Sequence, residues 1–494
     1  MRKFYVISIF TLAIFASLFS GCEKESNIIY NFSVVSQYGC GFHAHDFDIQ
    51  YSVGGSSIKD LDISATADDA WVTNIDSSTP NLLRISVAEN DGEPRSTIIR
   101  LNAPGMHEAR ITITQMAAPK SGASHTLIFY FFGTSLSRYF DYNIDDASIA
   151  ISNGSLGDGG RVLFLRQEDK TTGYIGELYL NEINGECEER RIVDNIIIDA
   201  TRPLEETVAE NIAFMAEMAP ADSYGLVLAG HGQGWVTREA LNSGSSIFSI
   251  GQDPWMPNLG AEITRAFGEN NVRVDIQQLA TAIEHSNVDF DYLLFDACFM
   301  SNIESLYDLR HSADYIIASP CEIMGRGFPY HRPLPHLFAG NDLTTNMCNA
   351  AESYYIYYRD EYVGSSRCGS VAVVDCAEIE ALAAATKDVV ATAHEEYDSS
   401  TLQFYEGHSR HTFFDFGAWC KLVATDNDAL ARFEEQLART VIIKYTLPSF
   451  YSALGHSGTY PIDEEQYTGI TTSAPCDTYP EYWHNTSWHG AVWE

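Results

Sequence analysis

The sequence is poor in basic residues. It has 494 residues, with 30 Lys and Arg against 67 Asp and Glu, and its formal net charge is −37. The few basic residues form no stripe along the chain. Because phosphate binding requires clustered Lys and Arg, the sequence argues against nucleic acid as a partner. The acidity itself indicates good solubility.

Several other signatures are missing. The ten cysteines include no CxxC pair, so zinc ribbons and thioredoxin-like redox sites are not expected. No set of three converging ligands is visible, and we predict no metal site. No Gly-x-Ser-x-Gly elbow follows a predicted strand, which disfavours a Ser/His/Asp hydrolase. Internal repeats and low-complexity segments are also absent from the sequence.

Long apolar runs are confined to the N-terminus, since no later stretch reaches the roughly 18 residues that span a bilayer. In residues 1–22, Arg2 and Lys3 precede an apolar stretch that ends in Ser20-Gly21-Cys22. This ending resembles a bacterial lipobox, which implies cleavage before Cys22 and a lipid on its sulfur. We therefore predict an exported protein that is lipid-anchored to the bacterial outer membrane or cell surface. The alternative is a cleaved secretory peptide in which Cys22 is incidental.

Residues 27–117 alternate polar and apolar positions between closely spaced turns, as in Leu82–Ala88 and Ala109–Gln115, which predicts an all-β sandwich. The pattern resembles a BACON-type domain, which implies either glycan contact or a spacer role, and we favour the spacer. Residues 118–124 are a small-residue linker with Pro and Gly.

Residues 125–494 change character, because buried-type strands alternate with helical periodicity. The predicted strands are Thr126–Phe132, Val162–Leu165, Tyr224–Ala229, Tyr292–Phe295, Tyr315–Ala318 and Val371–Val374. The predicted helices are Glu205–Met218, Ile276–Glu284, Ala377–Tyr397 and Ala429–Tyr445. This alternation predicts an α/β fold in which helices cover both faces of a mainly parallel sheet.

Two of these strands end in reactive side chains. His231 follows the strand Tyr224–Ala229 within a Gly-rich turn, and Cys298 follows the strand Tyr292–Phe295. Reactive groups collect at the carboxyl ends of parallel strands, so the two residues are expected to meet there. A thiol beside an imidazole predicts nucleophilic catalysis.

The segments around these residues, Leu-Ala-Gly-His231-Gly-Gln-Gly-Trp and Phe-Asp296-Ala-Cys298-Phe-Met, resemble the two signature segments of the clostripain family of cysteine peptidases. The resemblance implies a caspase-like α/β/α fold over residues 125–494 and protein or peptide substrates. It implies that Cys298 attacks the scissile carbonyl, that His231 transfers protons, and that the backbone N–H groups of Gly232 and Cys298 hold the oxyanion. It also implies that Asp296 lies in the S1 pocket and selects Arg or Lys; the alternative for Asp296 is a strand-end residue that accepts backbone hydrogen bonds.

Members of the family often cut themselves between the His and Cys segments, an interval whose basic residues are Arg238, Arg265 and Arg273. No particular bond is favoured by the sequence. No cofactor is expected, although some relatives depend on calcium, which leaves calcium open.

Three competing interpretations remain from the sequence. Cys321 could compete as the nucleophile, and Arg326 could partly offset the charge of Asp296. The chain could also be a lipid-anchored surface binding protein with an inactive caspase-like domain, although the presence of both His231 and Cys298 speaks against that.

Overall fold

The computed structural model describes residues 31–54, 62–118, 122–157, 159–169, 171–198, 202–242, 263–265, 274–340, 342–364, 367–394, 396–474 and 476–494. The predicted export segment, Cys22 and Arg273 lie outside the described residues. The chain divides into two compact units. Among the described residues, those up to 36 and those within 45–88 and 97–112 make up the first unit, and those within 37–44, 89–96 and 113–494 make up the second.

The N-terminal region is all β, as the alternating sequence predicts. Its strands are β1 (Phe32–Val34), β2 (Gln37–Cys40), β3 (His45–Val53), β4 (Ser64–Ala67), β5 (Val72–Asp76), β6 (Leu82–Val87), β7 (Arg95–Asn102) and β8 (Ala109–Gln115). They form four-stranded sheets in the orders β1-β3-β6-β5 and β2-β8-β7-β4. Every second residue along β3 and β8 is buried, so one face of each strand is apolar. The BACON-type identity of this region stays a prediction.

The rest of the chain alternates strands and helices. Its strands are β9 (Thr126–Phe131), β10 (Arg161–Gln167), β11 (Thr172–Leu180), β12 (Cys187–Ile197), β13 (Tyr224–Ala229), β14 (Tyr292–Asp296), β15 (Tyr315–Ala318), β16 (Val371–Asp375), β17 (Phe414–Asp415), β18 (Val441–Tyr445), β19 (Ser449–Ser452), β20 (Gly458–Pro461) and β21 (Thr471–Thr472). Its helices are α1 (Ser137–Ser152), α2 (Leu204–Met218), α3 (Arg238–Asn242), α4 (Ile276–His285), α5 (Ile303–Leu309), α6 (Leu334–Leu337), α7 (Leu343–Asp360), α8 (Ile379–Val390), α9 (Phe416–Val423), α10 (Asn427–Thr440), α11 (Pro480–Trp483) and α12 (Ser487–Trp493).

A nine-stranded sheet organises this part of the molecule, with the order β12-β11-β10-β9-β13-β14-β15-β16-β18. The five strands from β10 to β15 in that order run parallel, and β11, β12, β16 and β18 are antiparallel to their neighbours. All residues of β9 and β14 are buried, which explains why their sequences are continuous apolar runs. The predicted α/β class is confirmed, and the sheet is mixed.

The helical periodicity read from Ala429 to Tyr445 is wrong at its end. The helix α10 stops at Thr440, and Val441–Tyr445 is the edge strand β18, which pairs with β16. The run Val-Ile-Ile in β18 is β-branched, and such residues pack well on a pleated surface. No helix within the described ranges is long and apolar enough to cross a membrane.

Candidate active site

The predicted histidine and cysteine lie at the same edge of the sheet. The strands β13 and β14 are parallel neighbours, and Ala229 pairs with Asp296 at their carboxyl ends. Beyond that pair, the backbones of Gly232 and Cys298 almost touch, since a Cβ added to Gly232 would lie 2.8 Å from the Cys298 nitrogen. The turn after β13, which carries His231, therefore packs directly against Cys298.

Cys298 sits in a constrained turn. The next residue, Phe299, has a φ of 61°, a left-handed conformation that is uncommon outside glycine. Phe299 is kept there by burial and by a ring stack with Phe413 at 4.8 Å between centroids. The backbone N–H of Ile323 donates to the Cys298 sulfur at 3.0 Å. The turn thus fixes the position of the sulfur.

The thiol of Cys298 is fully buried. Burial raises its pKa well above the usual range, and the nearby Glu322 carboxylate raises the pKa further. In this conformation Cys298 is therefore a neutral thiol and a poor nucleophile.

His231 contacts a residue that the sequence did not single out. Its Nε2 lies 2.9 Å from the hydroxyl of Ser135, which lies between β9 and α1. The following glycine, Gly232, offers its backbone N–H to the cleft, and Gly234 adopts a φ of 60° that suits glycine. The Gly-rich turn therefore brings both an imidazole and a backbone donor to the cleft.

The cleft beside Cys298 is occupied by a segment of the same chain, Ile263–Arg265. Its residue Thr264 forms an antiparallel bridge with Met324. The Arg265 N–H donates to the Ile323 carbonyl at 2.7 Å, and the Gly325 N–H donates to the Ile263 carbonyl at 2.6 Å. This pattern is how an extended peptide adds to a strand edge.

The carbonyl of Arg265 ends this pairing at the Gly-rich turn, where it accepts a hydrogen bond from the Gly232 N–H at 2.9 Å. Gly232 is the residue whose N–H the resemblance assigned to the oxyanion. The carbonyl oxygen of Arg265 therefore accepts from one of the two N–H groups predicted to bind the oxyanion, and Gly232 in turn contacts the backbone of Cys298.

The Arg265 side chain fills a closed pocket and has no solvent exposure. Its Nη1 lies 3.1 Å from Oδ2 of Asp296, which is also fully buried. Its Nη2 donates to Asn143 Oδ1 at 2.7 Å, and its Nε donates to the Gly325 carbonyl at 3.3 Å. A buried guanidinium needs such partners, because an unpaired charge is costly away from water.

Asp296 is held by further donors. The Phe328 N–H reaches both of its carboxylate oxygens at 3.2 Å, and the Tyr330 hydroxyl donates to Oδ2 at 3.0 Å. Burial raises the pKa of Asp296, and the charge of Arg265 opposes that rise. Asp296 thus accepts a backbone hydrogen bond, as the strand-end interpretation expects, and it faces a basic side chain of the same chain. Its assignment to an S1 pocket stays a prediction.

The loop 325–330 forms a wall of this pocket. Gly327 has a φ of 69°, and a Cβ there would lie 2.5 Å from Oδ1 of Asp296, so only glycine leaves room for the buried guanidinium. The neighbouring Arg326 extends away and pairs with Asp146 at 2.8 Å. The expectation that Arg326 offsets Asp296 is therefore not supported by the contacts of its side chain.

Cys321 has a different neighbour from Cys298. It is fully buried, and its sulfur lies 3.1 Å from the sulfur of Cys368, which precedes β16. Its backbone carbonyl accepts a hydrogen bond from Phe299. These contacts indicate a structural role for Cys321 beside the nucleophile turn.

Sequence reasoning missed three residues of this site, namely Ser135, Asn143 and Glu322. They lie on α1, its preceding loop and the loop after β15, and no motif links them to the two signature segments. Within the described ranges, no group of three or more His, Cys, Asp or Glu side chains is arranged to hold a metal ion.

Comparison with known proteins places this fold among those of peptidases. The model of the Clostripain family, Peptidase_C11, matches residues 171–418. The chain is similar to the structure of a secreted C11 cysteine protease from Bacteroides thetaiotaomicron, with 27% identity, a TM-score of 0.64, and 75% of this chain and 99% of that chain covered. It is also similar to an inactive zymogen C11 protease from Parabacteroides distasonis, with 25% identity, a TM-score of 0.61, and coverage of 76% and 100%. A search of curated proteins found no match.

Proposed function

Because the chain belongs to the clostripain family of cysteine peptidases, we propose that Cys298 and His231 form its catalytic pair and that it cleaves peptide bonds after Arg or Lys. His231 takes the proton of the Cys298 thiol, the sulfur attacks the scissile carbonyl, and the C–N bond breaks to give an acyl-enzyme as His231 passes that proton to the leaving amine. His231 then takes a proton from the water that attacks the acyl group, and this proton returns to the sulfur as the acid product leaves. The N–H groups of Gly232 and Cys298 stabilise the charge on the carbonyl oxygen.

One observation carries this proposal: an arginine of the chain itself occupies the cleft in the manner of a substrate. The Arg265 carbonyl accepts from Gly232, and the guanidinium pairs with Asp296 in a closed pocket. The same contacts would serve the residue on the acyl side of a cleaved bond. A buried carboxylate favours a cationic side chain strongly over a neutral one.

The same observation supports self-processing after Arg265. Of the three basic residues between the two signature segments, Arg238 lies in α3, Arg273 lies outside the described residues, and Arg265 lies in the cleft. We propose that Cys298 cuts the bond between Arg265 and Ala266 and that departure of the segment exposes the thiol. The relative from Parabacteroides distasonis, described as an inactive zymogen, is compatible with such a latent form.

Self-processing is tested by intact mass after incubation of the full chain, its Cys298→Ala variant and its Arg265→Gln variant. We expect the wild type to yield a piece that begins at Ala266, and both variants to stay whole at that bond. Identical masses for the wild type and Cys298→Ala would overturn the proposal.

Specificity is tested with paired peptides that carry Arg or its neutral isostere citrulline before the scissile bond. The processed wild type should strongly prefer Arg, and Asp296→Asn should lose about 100-fold or more in kcat/KM on the Arg peptide, because the guanidinium loses its buried charge partner. The Cys298→Ala variant should show no turnover. A binding protein with an inactive domain would show no Cys298-dependent turnover of either peptide.

We also propose export, as in the secreted relative from Bacteroides thetaiotaomicron, with a lipid on Cys22 as the anchor. Detergent-phase partitioning of wild type and Cys22→Ala from cells tests the anchor, and equal partitioning of both would contradict it.

Hydrolysis is proposed to require no cofactor, because the reacting groups all belong to the chain. Turnover by processed enzyme should therefore survive chelation of calcium, and its loss on chelation would show that calcium is needed.

A further inference from the structure

A fully buried carboxylate, Glu322, lies next to the cleft in the loop after β15. It accepts a short hydrogen bond from the Ser452 hydroxyl at Oε1. The Ala453 N–H lies 3.1 Å from Oε1 and 3.0 Å from Oε2. Burial raises the pKa of Glu322 to about 7, and these donors oppose that rise. All of these partners donate, so they suit the ionised carboxylate as an acceptor.

Another donor to Glu322 comes from the segment in the cleft. The hydroxyl of Thr264 donates to Glu322 Oε2 at 2.5 Å, and Thr264 is itself buried. Thr264 immediately precedes Arg265, so its side chain occupies the position next to the basic residue. By contrast, the side chain of Ile263 is 54% exposed, although its carbonyl is bound by Gly325.

We propose that Glu322 is a specificity-determining residue that makes the enzyme select Thr or Ser immediately before the basic residue. The inference rests on the proposed function, since it takes Ile263–Arg265 as the mode in which substrates bind. Preferred substrates then carry the pattern Thr/Ser followed by Arg/Lys. The position before the hydroxyl residue is unselective, because the corresponding Ile263 side chain faces solvent.

The selection follows from the loss of one of the two hydrogen bonds that Glu322 Oε2 accepts, at a position where water cannot replace it. Valine has the shape of threonine but no hydroxyl, so it would cover Glu322 Oε2 without donating to it. An aspartate would add a like charge to a buried carboxylate. Serine keeps the donor and loses only a methyl group. Thr and Val therefore form the sharpest pair of substrates, because they differ in the donor and not in size.

The first experiment measures kcat/KM of the processed wild type on peptides that end in Thr-Arg, Ser-Arg, Val-Arg and Asp-Arg before the scissile bond. Thr and Ser should exceed Val by about 10- to 100-fold, which is the range expected for a hydrogen bond to a charged group. Asp should be the poorest. Equal rates for Thr-Arg and Val-Arg would overturn the inference while the proposed function stands. Absence of Cys298-dependent turnover for every Arg peptide would overturn the proposed function itself.

The second experiment changes the enzyme. In Glu322→Gln the preference for Thr over Val should shrink and the penalty on Asp should fall, while the preference for Arg over citrulline should stay as in the wild type. An unchanged Thr-to-Val ratio in a folded Glu322→Gln variant would contradict the role of Glu322.

If Glu322→Gln does not fold, self-cleavage of the full chain still provides a test. Thr264→Val should slow cleavage after Arg265 by a similar factor, and Thr264→Ser should cleave near the wild-type rate. Equal rates for these two variants would overturn the inference.

Discussion

Arg265 is held by residues that lie far apart in the sequence. Asp296 is the last residue of β14, Asn143 belongs to α1, and Gly325 belongs to the loop after β15. Asp296 could be predicted because it stands in a signature segment at a strand end. Asn143 could not, because a polar residue within an amphipathic helix carries no sign of which distant side chain it will face.

Gly327 should be essential to the pocket that holds the Arg265 side chain. In Gly327→Ala the added Cβ would lie 2.5 Å from Asp296 Oδ1, on a backbone with a φ of 69°. We expect kcat/KM on Arg peptides to fall by about 100-fold or more, since a misplaced contact at the reacting end of a substrate has effects of this size. The measurement is steady-state hydrolysis of an Arg peptide together with a thermal melt.

The matched control is Gly340→Ala, because a Cβ at Gly340 would meet no atom within 4 Å. This variant should keep wild-type kinetics. A Gly327→Ala enzyme that hydrolyses Arg peptides at the wild-type rate would show that the pocket wall is elsewhere.

Among the strands of the large sheet, three parallel ones are linked at their starts by His125. It directly precedes β9, its Nδ1 lies 2.7 Å from the Ser223 hydroxyl just before β13, and its Nε2 lies 2.9 Å from the hydroxyl of Tyr292 in β14. Burial lowers the pKa of His125 from 6.5 to about 4. The folded sheet therefore contains this imidazole in its neutral form.

This burial makes the sheet sensitive to acid. Below pH 6.5 His125 is protonated in the unfolded chain, whereas in the folded chain it stays neutral down to about pH 4. The contribution of His125 to stability is therefore complete above pH 6.5 and is lost as the pH falls towards 4, by about 3 kcal/mol in total. The difference in apparent free energy of unfolding between wild type and His125→Gln, measured by denaturant at pH 7.5 and 4.5, should shrink at the lower pH.

The control for this experiment is a substitution of the exposed His456. His456→Gln should follow the wild type at both pH values. A pH-independent gap between wild type and His125→Gln would contradict the assignment of the acid sensitivity to His125.

Elements were predictable where periodicity is unambiguous. The sequence predicts the buried strands β9, β13, β14 and β15 from their apolar runs, and the predicted bounds differ from those in the structure by at most one residue. The sequence does not predict the antiparallel strands β11 and β12, because two glycines and a glutamate interrupt the apolar residues of β11 and the charged run Glu188–Arg191 opens β12. Their charges find partners within the sheet, as where Glu177 pairs with Arg161 and Arg190. A single sequence does not reveal such pairing.

The proposed cut after Arg265 falls between two neighbouring strands of one sheet. The piece that ends at Arg265 contributes β9 to β13, and the piece that begins at Ala266 contributes β14, β15, β16 and β18. Five residue pairs, from Gly225–Tyr292 to Ala229–Asp296, join the two pieces across β13 and β14. We therefore expect the processed protein to run as two bands on a denaturing gel but as one species in gel filtration.

The association of the two pieces should resist dilution, because separating them would expose both the strand edge and the buried core residues along it. Sedimentation velocity of processed protein at low micromolar concentration measures this directly. Two slowly sedimenting species under native conditions would contradict it.

The tether between the cleft and its occupant has a kinetic consequence. Since Arg265 belongs to the same polypeptide as Cys298, its arrival at the sulfur is a first-order event with a half-time that does not depend on how many molecules share the solution. An outside peptide has to compete with an occupant whose effective concentration is on the order of millimolar. The delay before a newly made molecule becomes active is therefore set by its own sequence and does not depend on the protein concentration.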